Sequence, residues 1–145
     1  MPRVDRAPAV RALITPEPVD VAALFETIGS SADGAVTVFV GRVRDSNEGR
    51  SVVGLTYEAY EEMAQSVLQA IVEEAARAHD VGHVTAVHRT GELQLGAVAV
   101  AVAVAAPHRA DAYEASRFVI EEIKKRLPVW KFEAYADGVT EWQRQ

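Results

Sequence analysis

The segment Lys124-Lys125-Arg126-Leu127-Pro128-Val129-Trp130-Lys131 holds the residues of this chain best suited to chemistry. Pro128 has no backbone N–H, and its ring clashes with the preceding turn, so a helix must stop before it. An amphipathic helical pattern leads up to the proline and an alternating strand pattern follows it. Lys124 and Lys131 therefore flank a helix-to-strand junction. Two ammonium groups placed there can hold an anion, or one can present its amine as a nucleophile. Cations in a last helical turn also complement the helix dipole, which explains Lys124, Lys125 and Arg126 without any function. That explanation does not extend to Lys131, beyond the proline.

Other cations are clustered as well. Arg42 and Arg44, with Val43 between them, end the first long strand, and Arg50 closes the loop that follows. His108 and Arg109 open the last helix, where positive charge opposes the dipole unless an anion binds. A guanidinium is a planar fork for phosphate or carboxylate, so these groups suit a phosphorylated or carboxylated ligand. An exposed strand face would explain Arg42 and Arg44 equally well, and a solvated cap would explain His108 and Arg109. Arg109 and Lys124 belong to one helix and stand about 22 Å apart along it. They can grip one small ligand only if the site is shared between two copies, which predicts a dimer.

Composition limits the alternatives. A chain of 145 residues suits one domain, here 1–145 with residues 1–9 as a loose tail. A net charge of −6 argues against a general nucleic-acid binder, so any anion site is a local basic cluster on an acidic protein. With no cysteine, disulfides, thiolate metal sites and a cysteine nucleophile are excluded. His79, His83 and His88 lack helical metal-ligand spacing, so neither a metal nor a cofactor is expected. Glu58, Glu61 and Glu62 read as a solvated helix start. Arg3 and Arg6 precede no apolar run, so no secretory signal is visible. The most apolar stretch, 97–106, is about half of what a bilayer-spanning helix needs. A soluble, cytoplasmic protein without membrane contact is expected.

The elements that position these groups follow from periodicity. Residues 11–15 make a short strand and 19–28 a short helix. Residues 34–44 alternate as a strand, followed by a polar loop over 45–49. A strand over 52–59 is expected to be its hairpin partner. Residues 60–79 are the strongest helix, with Met63, Val67, Ile71, Ala75 and Ala78 on its apolar face. Residues 84–93 form a strand, and residues 97–106 another, in which Val and Ala alternate. The Val side should face the core, and the Ala side should let a helix approach closely. The last helix ends at Pro128, with Ala112, Ala115, Val119 and Ile123 facing inward. Residues 129–136 form a strand, and Asp137-Gly138 signals a hairpin returning over 139–142. Hairpins mixed with crossover helices predict an α+β sandwich: a largely antiparallel sheet with helices packed on one face.

At these residues the chain resembles the catalytic (large) subunit family of molybdopterin synthase. The matching pieces are Gly34-Ala35 leading to Gly41-Arg42-Val43-Arg44, then His88-Arg89-Thr90-Gly91-Glu92-Leu93, His108-Arg109, and the segment from Lys124 to Lys131. They keep the family's order from about residue 10 to the end. Each is weak alone; together they are specific. The resemblance implies a hammerhead-like two-layer sandwich. It also implies a reaction: two dithiolene sulfurs are installed on cyclic pyranopterin monophosphate to give molybdopterin. The sulfur comes from a small ubiquitin-like carrier subunit whose C-terminal Gly-Gly bears a thiocarboxylate. The implied assembly is a homodimer with one small subunit at each end, a heterotetramer. The missing cysteines agree with imported sulfur.

Carried over by position, Lys124 is the principal catalytic lysine and Lys131 the second. Arg42, Val43 and Arg44, with Lys131, Phe132 and Glu133, match the substrate-binding segments. His108 and Arg109 of the neighbouring copy complete them. On this reading the lysines stabilise charge as the thiocarboxylate sulfur attacks and the thioester is hydrolysed. Lys124 is alternatively a nucleophile whose pKa Lys125 and Arg126 depress. Two positions depart from the pattern: Lys125 adds a charge beside Lys124, and Phe132 stands where a basic residue often follows the second lysine. Two rivals give the lysines less to do. One is a small acyl-phosphate hydrolase cradling phosphate at Gly41-Arg42-Val43-Arg44. The other is a non-catalytic dimeric module binding an anionic metabolite.

Overall fold

The computed structural model describes residues 7–144. The sequence order is β1 (Ala9–Thr15), α1 (Val21–Thr27), β2 (Ala35–Arg42), β3 (Ser46–Asn47), β4 (Arg50–Ala59), α2 (Glu61–Ala78), β5 (His83–Arg89), β6 (Gly91–Leu93), β7 (Val98–Ala106), α3 (Arg109–Arg126), β8 (Val129–Tyr135) and β9 (Thr140–Arg144). The architecture is α+β. Residues 1–6, most of the expected tail, lie outside the described residues. Among the described residues no helix is long and apolar enough to cross a membrane.

The Val/Ala alternation of β7 builds the centre of the first sheet, whose strand order is β1-β5-β7-β2. β7 runs antiparallel to both β2 and β5, while β1 joins β5 in parallel. Successive strand residues point to opposite faces. Val100, Val102 and Val104 meet the buried faces of α2 and α3 in one core, and the Thr37 hydroxyl beside them donates to the Ala112 carbonyl of α3. The Ala side is buried too. There the turn at Gly29 approaches so closely that a Cβ on it would stand 2.9 Å from the Ala105 Cβ. The two long helices thus share one face of the sheet, and the turn after α1 approaches the other.

Helix α3 buries Ala112, Ala115, Val119 and Ile123, as its spacing predicts. In α2 the buried stripe is Ala64, Leu68, Ile71, Val72, Ala75 and Ala76. Met63, expected inside, is 58% exposed. Residues 64, 68, 71, 72 and 75 follow a helical repeat that Leu68 anchors, and Met63 lies about 100° away from Ala64 around the axis.

A second sheet, ordered β3-β4-β8-β9 with β6 also on β4, carries the remaining strands. β4 had been expected to pair with β2. Instead its long partner is β8, and β2 pairs with β7. The reason is local. Glu48 and Gly49 have φ of 51° and 78°, which closes a tight two-residue turn and pairs Asn47 with Arg50. The hairpin therefore forms between β3 and β4, and the ladder between β2 and β7 shifts register at Gly41/Arg42 and ends with Arg42 opposite Val98. Likewise the strand expected over 84–93 is two strands. Gly91, with φ of 90°, follows the break at Thr90 and starts β6 on the second sheet.

Candidate functional site

The junction that Pro128 enforces is firmly pinned. Leu127 N–H donates to the Ile123 carbonyl at 3.1 Å, and Val129 N–H donates to the Leu127 carbonyl at 2.8 Å. Leu127 and Val129 are buried. With both ends of the turn fixed, Lys124 on the last turn of α3 and Lys131 on β8 face one cavity of about 180 Å³. The segment 42–44, leaving the end of β2, supplies Arg42, Val43 and Arg44 to the same cavity, and Glu133 lies on its wall. Arg42 is anchored through Nε, which donates to the Gly96 carbonyl at 2.9 Å.

Strand β8 sorts its side chains by parity. Lys131 and Glu133 face the cavity, opposite Tyr57 and Leu55 of β4 in the ladder. Phe132 takes the other face and packs on Trp142, ring centroids 4.8 Å apart. Phe132, expected among the substrate contacts, is therefore not part of this cavity. His108 and Arg109 are not part of it either, because α3 runs unbroken from Arg109 to Arg126 and puts them at its far end.

Electrostatics distinguish the two lysines. Lys131 Nζ lies 2.9 Å from Glu133 Oε1. Glu133 is only 3% exposed, yet it is richly solvated by protein. Its Oε2 accepts a hydrogen bond from Asn47 Nδ2 at 2.9 Å and a short one from the Tyr135 hydroxyl. Burial pushes the Glu133 pKa up, but the bonds from Tyr135, Lys131 and Asn47 outweigh it, and the net shift is downward. Tyr57, against the same carboxylate, is pushed up to about 12 by burial and then by the Glu133 charge, so it is a neutral hydroxyl at physiological pH.

Lys124 has no ion-pair partner among the described residues. Desolvation, followed by repulsion from Lys131, holds its pKa below that of a free lysine. Lys125 and Arg126, expected to cause this depression, do not contribute. Lys125 is 3.8 Å from Glu122, and Arg126 bridges Glu74 at 2.8 Å and Glu122 at 3.4 Å. Those two cations serve the helix end; Lys131 serves Lys124.

Arg50 also leaves the cation group. Its guanidinium sits 3.5 Å above the centre of the Tyr135 ring and pairs with Glu141 at 3.2 Å and Asp137 at 3.5 Å. It ties the β8–β9 hairpin to β4. Asn47 and Tyr57 of the cavity wall, and Tyr135 behind Glu133, escaped the sequence reading. Only β4–β8 pairing, with Tyr57 opposite Lys131, could have pointed to the tyrosines.

Two other places are poorer sites. A larger depression of about 440 Å³ is bounded by Glu58, Ala59, Tyr60, Trp130 and Trp142, and its one charged lining residue is acidic. It does not suit an anion. His79, Asp111 and Glu114 bring one ligand atom each within 4.8 Å of one another. Asp111 already accepts from the Asp80 backbone N–H, and Glu114 pairs with His79 at 3.8 Å across the α2–α3 contact. That group reads as a tie between helices.

Comparison with known proteins places this geometry. The family model described as MoaE protein matches residues 14–126. A rice protein (Oryza sativa subsp. indica) named molybdopterin synthase catalytic subunit is 47% identical over 120 residues, covering 83% of this chain and 62% of its own length. The chain thus spans somewhat under two thirds of that relative. The Aedes aegypti protein named molybdopterin synthase catalytic subunit 1 is 41% identical, with 90% of this chain and 86% of that one covered. Among solved structures, the Staphylococcus aureus molybdopterin synthase superposes with a TM-score of 0.84 at 39% identity, covering 91% of this chain and 96% of that one. A match over most of the chain, in both sequence and fold, has one consequence: the chain belongs to the MoaE protein family.

Proposed function

We propose that this protein is the catalytic subunit of a molybdopterin synthase and transfers sulfur to cyclic pyranopterin monophosphate. The observation that carries this reading is the convergence of Lys124 and Lys131 with Arg42 and Arg44 on one small cavity, in a chain without cysteine. Such a site supplies charge and a poised amine but no sulfur, so the sulfur must be delivered. The donor is the thiocarboxylated Gly-Gly terminus of a small ubiquitin-like partner.

The residues divide the work as their electrostatics suggest. Arg42 and Arg44 receive the substrate phosphate, since a guanidinium pairs with phosphate in two-point fashion. Lys131, paired with Glu133 but still charged, is a fixed hydrogen-bond donor. Lys124 stands beside the partner's C-terminal carbonyl. Its depressed pKa leaves more neutral amine than an ordinary lysine has, and its protonated form stabilises the oxyanion of the attacked carbonyl. After sulfur transfer, water hydrolyses the thioester and frees the partner's carboxylate.

His108 and Arg109 join the site from a second copy, because helix α3 holds them away from the cavity of their own chain. The assembly is a homodimer carrying two small subunits, in the cytoplasm. The test is reconstituted sulfur transfer with purified chain, thiocarboxylated partner and cyclic pyranopterin monophosphate. Wild type should form product and Lys124→Ala very little. Equal product from both would remove Lys124 from the mechanism. No product from either, despite a demonstrated complex with the partner, would favour a binding module.

A further inference from the structure

The Glu133 carboxylate uses its two oxygens differently. Oε1 faces Lys131 Nζ at 2.9 Å. Oε2 is held from the opposite side by Asn47 Nδ2 at 2.9 Å and by the Tyr135 hydroxyl. Asn47 Nδ2 also reaches the Tyr135 oxygen at 3.3 Å, and Gln143 Nε2 donates to that oxygen at 3.4 Å. The Tyr135 ring is itself clamped under the Arg50 guanidinium. The links are drawn from four backbone segments: β3, β4, β8 and β9. A carboxylate gripped at one oxygen by two fixed donors cannot rotate, so its other oxygen keeps one direction.

We propose that Asn47 and Tyr135 are positioning residues that lock the Glu133 carboxylate so that it fixes the Lys131 ammonium in the cavity. The proposal rests on the sulfur-transfer reading for its catalytic consequence but not for its geometry. Neither residue needs to touch substrate. Lys131 on a freely rotating side chain would sample many directions, as an unpaired lysine does. Paired to a locked carboxylate, it presents its remaining N–H bonds in one direction, which is the pre-organisation that charge stabilisation in a transition state requires. The same arrangement carries the state of the β8–β9 hairpin to the lysine, through Arg50, Tyr135 and Glu133 in turn.

Two measurements on full-length protein test this, one with turnover and one without. In the first, Tyr135→Phe keeps the ring beneath Arg50 and removes only the hydroxyl. In the reconstituted reaction it should lower kcat about tenfold, as loss of one hydrogen bond to a charged group implies, with KM for the pterin unchanged. Asn47→Ala should act in the same direction. In a Lys131→Ala background, Tyr135→Phe should have no further effect. An equal loss in both backgrounds would mean a purely structural role and would overturn the proposal, as would unchanged kcat in both single variants. The second measurement is the NMR signal of the Lys131 ammonium, identified by its absence in Lys131→Arg. It should be visible in wild type, where the ion pair slows proton exchange, and lost in Tyr135→Phe and Asn47→Ala. Its persistence in both variants would overturn the proposal. If wild type forms no product, the catalytic reading fails while the NMR result still decides the positioning claim.

Discussion

Replacing Glu133 by Gln isolates the charge at the centre of the site. The side chain keeps its size and its place opposite Leu55 in the ladder, but the anion is gone. Three donors converge on it: Lys131, Asn47 and Tyr135. A hydrogen bond to a charged group contributes about 1.5–3 kcal/mol, against about 1 kcal/mol for a neutral one. Lys131 retains 27% exposure and can recover part of its solvation from water. The amide can also still accept at its oxygen. The net cost at neutral pH should therefore be about 2–3 kcal/mol, well short of what a fully buried, orphaned charge would impose. The pH dependence is the sharper test. Glu133 has its folded pKa depressed, so its contribution is fully present above the ordinary carboxylate range. It is lost as pH falls through the folded pKa, where wild type takes up a proton and the variant cannot. Urea unfolding of both proteins across a pH series should show a gap that is widest near neutrality and shrinks in acid. A constant gap, or a variant as stable as wild type at neutral pH, would refute the claim that this buried carboxylate is ionised and held by its donors.

Three further outcomes are expected. Lys131→Met removes the second cause of the Lys124 depression, so the Lys124 pKa should rise and its labelling by an amine-selective acylating reagent near neutral pH should slow; unchanged labelling would leave desolvation as the sole cause. Ile123→Ala, at a position fully buried in α3 one residue before Lys124, should cost about 2–5 kcal/mol in chemical denaturation; a smaller loss would mean that the helix end is less tightly packed than its burial implies. Finally, Arg109→Ala and Lys124→Ala proteins, each inactive alone, should regain about a quarter of the wild-type sites when unfolded together and refolded, since random pairing in a symmetric dimer gives half mixed dimers with one intact site each. No recovery in mixed dimers would place both residues in the site of a single chain.

The sequence revealed the parts of this protein governed by short-range rules. Pro128 had to end α3, and the spacing of Ala112, Ala115, Val119 and Ile123 had to bury one face of it. The alternation in β7 set a buried strand whose two faces differ in bulk. What it hid were the partnerships between distant strands. β4 looked like the hairpin partner of β2 because they are neighbours in sequence, but a turn at Glu48-Gly49 and the irregularity at Gly41/Arg42 send β4 to β8. That pairing is what sets Tyr57 across from Lys131, and β8's own alternation sets Glu133 and Tyr135 on the same side. No local pattern announces it, and so Asn47 and Tyr135 stayed invisible while Lys124 and Lys131 did not.

The same pairing explains why two lysines so close in sequence have different chemistry. Both were legible as cations at a junction, and the depression of Lys124 was expected from its chain neighbours. Those neighbours are spent on Glu122 and Glu74. Desolvation of Lys124 is the larger cause, and repulsion from Lys131 across the junction adds to it. Glu133 stabilises the Lys131 charge at 2.9 Å, and Lys131 still repels the Lys124 ammonium. Removing that carboxylate would leave Lys131 free to swing to solvent. The function proposed for the cavity needs one fixed cation and one poised amine, and the fold supplies both from a single turn of chain by anchoring one acidic side chain from behind.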